Sequence, residues 1–328
     1  MGLIMNRQRR AVLQSVSAIT LMPAVVARAQ TLWPTRTVRI LSPWPAGGPA
    51  DALIRPLADG LKAALGQSFI VESQPGANGT IATANAAKAV PDGHTLLYSN
   101  LGPMTVSPAM MRLPYNPETD FAPITQLTRS PLVLTIRADL PVQSVAEFIS
   151  YARAQAKPLI MGSVGNGSTP HIVGEMFKAA TGLAFTHVPY KGSDPLLLDM
   201  AGGRLDYSFL NYLGTLSFVK TGKVRVIAAS SLKRSELFSD LPAISETLPG
   251  FDFASWYGLH APAAVPAPVL DAIHRATIQV LTSEESRQRL RQGSFELVGS
   301  SPKEFAQRIR SELETFSRVV KDSGMAAG

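Results

Sequence analysis

The sequence predicts an α/β fold in two lobes, each a mostly parallel sheet flanked by helices. Three observations carry that expectation. Short apolar runs alternate with helical patterns along most of the chain, the order expected of strand–helix–strand units. Two segments, near 132–136 and 256–262, look like crossings from one lobe to the other. The turns that follow the strands are repeatedly rich in Gly, Ser, Thr and Asn.

The first 29 residues stand apart from the fold. Arg7, Arg9 and Arg10 precede an apolar run broken by Pro23, and Ala27-Arg28-Ala29 reads as a small-x-small cleavage site. This is the pattern of a cleavable export signal. The paired Arg9-Arg10 leaves the general secretory and twin-arginine routes both open. From Gln30 the chain has 299 residues, enough for two domains of ordinary size. No later stretch is long and apolar enough to span a bilayer.

The strand candidates are 38–41, 69–71, 95–98, 132–136, 159–162, 185–188, 207–210 and 224–229. Between the first two lies the clearest helix, 50–65, with Leu53, Ile54, Leu57, Leu61 and Leu65 on one face. Gly66 sits where a C-terminal cap is wanted. Ser144-Val-Ala-Glu147 is a capping box that opens a helix to about 156. Ser301-Pro-Lys-Glu304 is another, with Pro302 at the first helical position, for a helix to about 321. The crossings then divide the chain into a discontinuous first lobe, 30–131 with 252–328, and a second lobe, 132–251.

Composition narrows the chemistry. The chain has no cysteine, which removes disulfides, thiolate metal sites, a Cys nucleophile and a lipid anchor on cysteine. Its formal charge is +7, but residues 1–29 hold four arginines and no acid, so 27 basic side chains remain against 24 acidic ones. A net +3 without a basic cluster is not a nucleic-acid footprint. The five histidines are scattered, with no His-Glu-x-x-His pair, and no Gly-x-Ser-x-Gly elbow is present. No metal or cofactor is therefore expected, and no enzyme.

Ligands of open α/β sheets bind beyond the C-terminal strand ends. Those positions here are Trp44-Pro-Ala-Gly-Gly48, Gln74-Pro-Gly-Ala-Asn-Gly79, Ser99-Asn100-Leu-Gly102, Gly162-Ser-Val-Gly-Asn-Gly-Ser-Thr169, Tyr190-Lys-Gly-Ser-Asp194 and Asn211-Tyr212. They offer backbone amides and neutral hydrogen-bonding side chains, with Lys191 the one cation among them. Amides at a helix N-terminus suit a small anion. Two roles are open for His171, a donor lining the cleft or a structural cap. Trp44 reads equally as a cleft wall or as packing, and Asp51 either pins its own loop at the helix start, the favoured role, or binds ligand.

Together these residues resemble the substrate-binding proteins of tripartite tricarboxylate transporters, the Bug-type receptors. The resemblance runs through Pro43-x-x-x-Gly-Gly-Pro-x-Asp51, 71–79, Pro91-Asp-Gly-His-Thr-Leu-Leu97, 115–121, 162–171, Val188-Pro-Tyr-Lys-Gly192, 202–206 and 256–262. It implies a type II-like periplasmic-binding-protein clamshell that closes on a small organic acid and presents it to membrane transporter subunits. It also implies ligand contact at Trp44, Ala46, Gly47, Gly48, Asn78 and Asn100 in the first lobe. In the second lobe the implied contacts are Ser163, Gly167, Ser168, Thr169, His171, Tyr190 and Gly192. The natural default is a periplasmic monomer. The rival roles are an orphan receptor that signals and a periplasmic enzyme acting on a small acid. Trp44 stands where phenylalanine is common, Ser73-Gln74 replaces Asn-Arg, and Asn78 replaces a small residue. Asp194 stands where alanine is frequent, and either selects an amino-bearing ligand or serves Lys191 and the following helix.

Overall fold

A computed structural model describes residues 33–47 and 49–324. The predicted export signal, 1–29, lies outside the described residues, as does Gly48. The first three strands, β1 (Val38–Ser42), β2 (Phe69–Ser73) and β3 (Thr95–Asn100), form a parallel ladder with β1 in the middle. Helix α1 (Pro49–Leu65) follows β1 and buries Leu53, Ile54, Leu57 and Leu61, the predicted apolar face. Gly66 ends it at a φ of 72°, a left-handed position that glycine takes without a Cβ penalty. Helix α2 (Thr80–Ala87) precedes β3, and after β3 a π-turn, Gly102–Val106, runs into α3 (Ser107–Met110).

The second parallel ladder is β5 (Leu159–Ser163) between β6 (Phe185–Pro189) and β7 (Tyr207–Asn211). Its connections are α5 (Thr169–Thr181) and α6 (Ser193–Ala201), and α4 (Val145–Ala154) leads into β5. Ser144 caps α4 by accepting from the Glu147 amide. The Glu147 carboxylate returns to Gln143, one residue earlier than a full capping box requires. Helix α7 (Tyr212–Lys220) and β8 (Val224–Ala229) complete this half.

One strand joins the ladders. β4 (Phe121–Arg137) pairs antiparallel with β9 (Ala254–Pro262) from Phe121 to Pro131, and with β7 and β8 from Leu132 and Val133 onward. β9 also pairs antiparallel with β3. The parallel character thus belongs to the outer strands, and the two long strands between them run antiparallel. Sequence reading found only 132–136 of β4 because Pro123, Pro131 and a polar run hide the rest. Proline cannot donate to a ladder, so it sits where pairing is interrupted. The register shifts just after Pro123, and the strand changes partners after Pro131.

On the return path Ser230 bonds to both β4 and the residue before β9. Its amide donates to Leu132 O (2.8 Å), its Oγ accepts from the Leu132 amide (2.9 Å) and donates to Phe253 O (2.9 Å), and its carbonyl accepts from Phe253 N (2.6 Å). The expected second crossing, 256–262, lies inside β9, which pairs with the first-half strands over its length. The chain closes with α8 (Ala267–Leu281), α9 (Glu284–Gln292), a two-residue β10 (Glu296–Leu297) on β4, and α10 (Pro302–Ser323). Ser301 and Glu304 cap α10 reciprocally, as predicted. Phe305, Ile309, Phe316 and Val320 form its buried stripe, and Phe305 meets Trp256 edge to face at 5.1 Å.

Candidate functional site

A cavity of about 280 Å³ opens where the two parallel ladders face each other across β4 and β9. Asn78, Asn100, Gly102 and Val106 line it from the turns around β3. Leu132 and Ser255 come from the two long strands, and Val164, 167–170, Ser193, Leu210 and Asn211 from the turns of β5, β6 and β7. No lining side chain is charged.

Three helices begin at this wall. Their N-caps are Ser168 for α5, Gly192 for α6 and Asn211 for α7, and none makes a side-chain capping bond. Ser168 Oγ donates instead to Gly165 O (2.6 Å). First-turn amides have no intrahelical acceptor, and each helix end carries a partial positive charge. The site therefore attracts anions with backbone dipoles and no cation. Across the cavity, Asn100 Oδ1 accepts from the Gly102 amide (3.1 Å), which leaves its Nδ2 group to donate elsewhere.

Of the residues expected to contact ligand, the structure brings Asn78, Asn100, Gly167, Ser168 and Thr169 to this wall. Gly48 lies outside the described residues, and the others lie off this wall, each for a local reason. The Gly47 amide already donates to Asp51 Oδ2 (2.9 Å), which also accepts from Arg55 Nε (2.7 Å). That guanidinium bond, aided by the Gly47 amide, holds the Asp51 carboxyl below its usual range. The chain fills its own α1 N-terminus with a carboxylate, and Ala46 and Gly47 are left on an exposed turn. Trp44 packs edge-on against Tyr98 (5.4 Å) and Tyr257 (5.2 Å).

Ser163 and His171 stand behind the cavity wall and shape it. Ser163 is fully buried, with its Oγ 2.6 Å from His187 Nε2, and it accepts from the Gly165 amide (3.1 Å). His171 Nδ1 accepts from the Gly167 amide (3.1 Å), and its ring stacks on His187 with centroids 3.7 Å apart. Tyr190 OH donates to Asp199 (2.7 Å), Gly192 supplies the α6 cap and its left-handed turn, and Asp194 is exposed on the first turn of α6. Gly102, Ser193 and Asn211 fell within the strand-end turns but were not singled out. Leu132 is legible only as the start of a crossing strand and Ser255 carries no local signal, because the meeting of the long strands is what brings them here.

The histidine stack sets a pH dependence. Burial first, then the neighbouring His187 and Lys178, lower His171 to about 4, and burial lowers His187 as well. Glu175, the buried acid on the same helix, is paired with Lys178 (3.2 Å). Below pH 6.5 the unfolded chain takes up protons at His171 that the folded chain refuses. Stability from this residue is therefore complete above 6.5 and drains away as pH falls toward 4, by up to about 3 kcal/mol. Urea unfolding between those limits should show a flatter pH profile for His171→Gln, whose amide oxygen still accepts from Gly167. An unchanged profile would remove His171 from the acid response.

A larger basic cavity, about 760 Å³, lies between α9 and the loop after β8. Its cations are partly neutralised: Arg129 pairs with Glu296 (3.0 Å) and Asp252 (3.6 Å), and Arg234 with Glu246 (2.8 Å). No group of three or more metal-ligating side chains occurs among the described residues, and none of their helices is long and apolar enough to cross a membrane.

Comparison with known proteins agrees with this architecture. The model of the tripartite tricarboxylate transporter family receptor matches residues 53–325. Protein BugT of Bordetella pertussis is 29% identical over 295 residues, covering 89% of this chain and 90% of BugT. The structure of R. palustris Rpa4515 with adipate is 35% identical, with a TM-score of 0.74 over 90% of this chain and 99% of that one. MatC from Rhodopseudomonas palustris with bound malate is 30% identical, with a TM-score of 0.71 over 88% of this chain and 99% of MatC.

Proposed function

This chain belongs to the tripartite tricarboxylate transporter receptor family, and from that premise we propose that it captures a small carboxylate in the cavity between its two ladders. The observation that carries the reading is the meeting of three helix N-termini, uncapped by side chains, at a wall without charged groups. A carboxylate there completes the amides of α5, α6 and α7. The donors on Asn78 and Asn100 face the rest of the ligand from the other side. The adipate and malate of the two related structures fit the same chemistry.

In this reading the first lobe is 30–131 with 252–328, the second is 132–251, and the lobes hinge where Leu132, Ser230 and Phe253 are bonded together. The protein is exported by its N-terminal signal, works without catalysis, and hands the closed complex to membrane transporter subunits.

Thermal unfolding of refolded protein, freed of retained ligand, tests the proposal. A carboxylate at 100 times its dissociation constant adds about 2.7 kcal/mol, worth several degrees at this chain length. Adipate, malate and related acids are the panel, and their diamides are the controls. The expected result is a rise with at least one acid and none with its diamide. A flat response to every acid would overturn the carboxylate reading.

A further inference from the structure

We infer that Glu312 is a positioning residue for the cavity, holding from behind the strand that presents Ser255 to the solute. The inference rests on the cavity proposed above as the solute site, but its geometry is independent of which solute binds. Glu312 lies on the inner side of α10, and 12% of its side chain is exposed. Its Oε2 accepts from Trp256 Nε1 at 2.8 Å and lies 3.4 Å from Thr105 Oγ1, whose proton goes to Leu101 O at 2.8 Å. Its Oε1 is paired with Arg308 Nε at 2.8 Å, and Arg308 Nη2 donates to Ala254 O at 3.4 Å.

These partners are next to the wall. Trp256 follows Ser255 on β9, and successive strand side chains point to opposite faces. With the indole anchored on α10, Ser255 is aimed at the cavity. Thr105 belongs to the π-turn whose Gly102 and Val106 line the cavity. Turns of this kind recur at functional sites because they re-aim the backbone. A carboxylate is a costly choice on a buried stripe of Phe305, Ile309, Phe316 and Val320. A leucine would fill the space, but only a side chain with acceptor oxygens ties the Trp256 indole and, through Arg308, the Ala254 carbonyl of β9 to one point on α10. Burial pushes its carboxyl upward, and Arg308, Trp256 and Thr105 oppose that.

Hydrogen exchange of the ligand-free protein is the test. Glu312→Ala should speed exchange about tenfold at 254–256, the size expected for losing bonds to a charged group, and leave β8 unchanged. Glu312→Gln should restore protection at 254–256, because its amide oxygen in the Oε2 place still accepts from the indole, while its NH2 takes the Oε1 place and releases Arg308. Unchanged exchange in Glu312→Ala, a rise spread over the whole chain, or Glu312→Gln behaving like Glu312→Ala would each overturn the inference. If Glu312→Ala fails to fold, Trp256→Phe removes only the indole donor and keeps a ring against Phe305. It should then loosen 254–256 and spare 101–106, and no loosening there is contrary. Failure of every carboxylate to bind would leave these outcomes untouched, so the two readings fail separately.

Discussion

Asn211→Asp should abolish high-affinity carboxylate binding while leaving the protein as stable as before or slightly more so. Asn211 caps α7 at the cavity wall without a side-chain capping bond, and its backbone is extended at φ −67° and ψ 133°. Aspartate is an equally good N-cap, and its charge favours the helix dipole by about 0.3–1 kcal/mol. For a bound carboxylate the same charge is repulsive. Two like charges about 5 Å apart at an effective dielectric of about 20 cost about 3 kcal/mol, a loss of roughly a hundredfold in affinity. Calorimetric titration and urea unfolding of the same preparation should therefore move in opposite directions. Full affinity in the variant would place the anion away from α7.

The second large effect is expected at Gly167. Its φ is +67°, a left-handed conformation that costs a residue with a Cβ about 1–2 kcal/mol. An added Cβ would also lie 2.4 Å from Met110 Sδ, at the end of α3. The thioether can swing aside, so the fold should survive Gly167→Ala. The turn should not keep its shape, because the Gly167 amide is the one that His171 holds. Affinity should fall about tenfold or more, with a loss of stability no greater than the backbone penalty. Titration of the variant with unchanged affinity would show that this turn does not contact the solute.

How far the sequence foretold the site follows from these residues. Positions whose role is set by a strand end were readable: Asn78, Asn100, Gly167, Ser168 and Thr169 all sit in such turns and all reach the cavity. Gly47 and Gly48 look like an anion cradle, yet Asp51 is four residues on and supplies the anion to the Gly47 amide from within the chain. The histidines were ambiguous because stacking His171 on His187 requires α5 and β6 to pack, which no local pattern records. Ser255 and Glu312 were invisible for the same reason. Their roles arise from β9 passing between the ladders and from α10 closing behind it. In the fold, the α1 face, the Gly66 stop and the α10 capping box are local and were legible. The first half of β4 was not, because its prolines mark a bulge and a change of partner that exist only in the assembled sheet.

Neutral helix ends, and not the arginines of the larger basic cavity, should hold the solute's carboxylate. A crystal structure of the refolded protein, grown with the acid that most raises its melting temperature, decides between the two. Carboxylate oxygens are expected within hydrogen-bonding distance of first-turn amides of α5, α6 or α7, with Asn211 and Ser193 beside them. A carboxylate bound instead among Lys233, Arg287 and Arg291 would contradict that expectation.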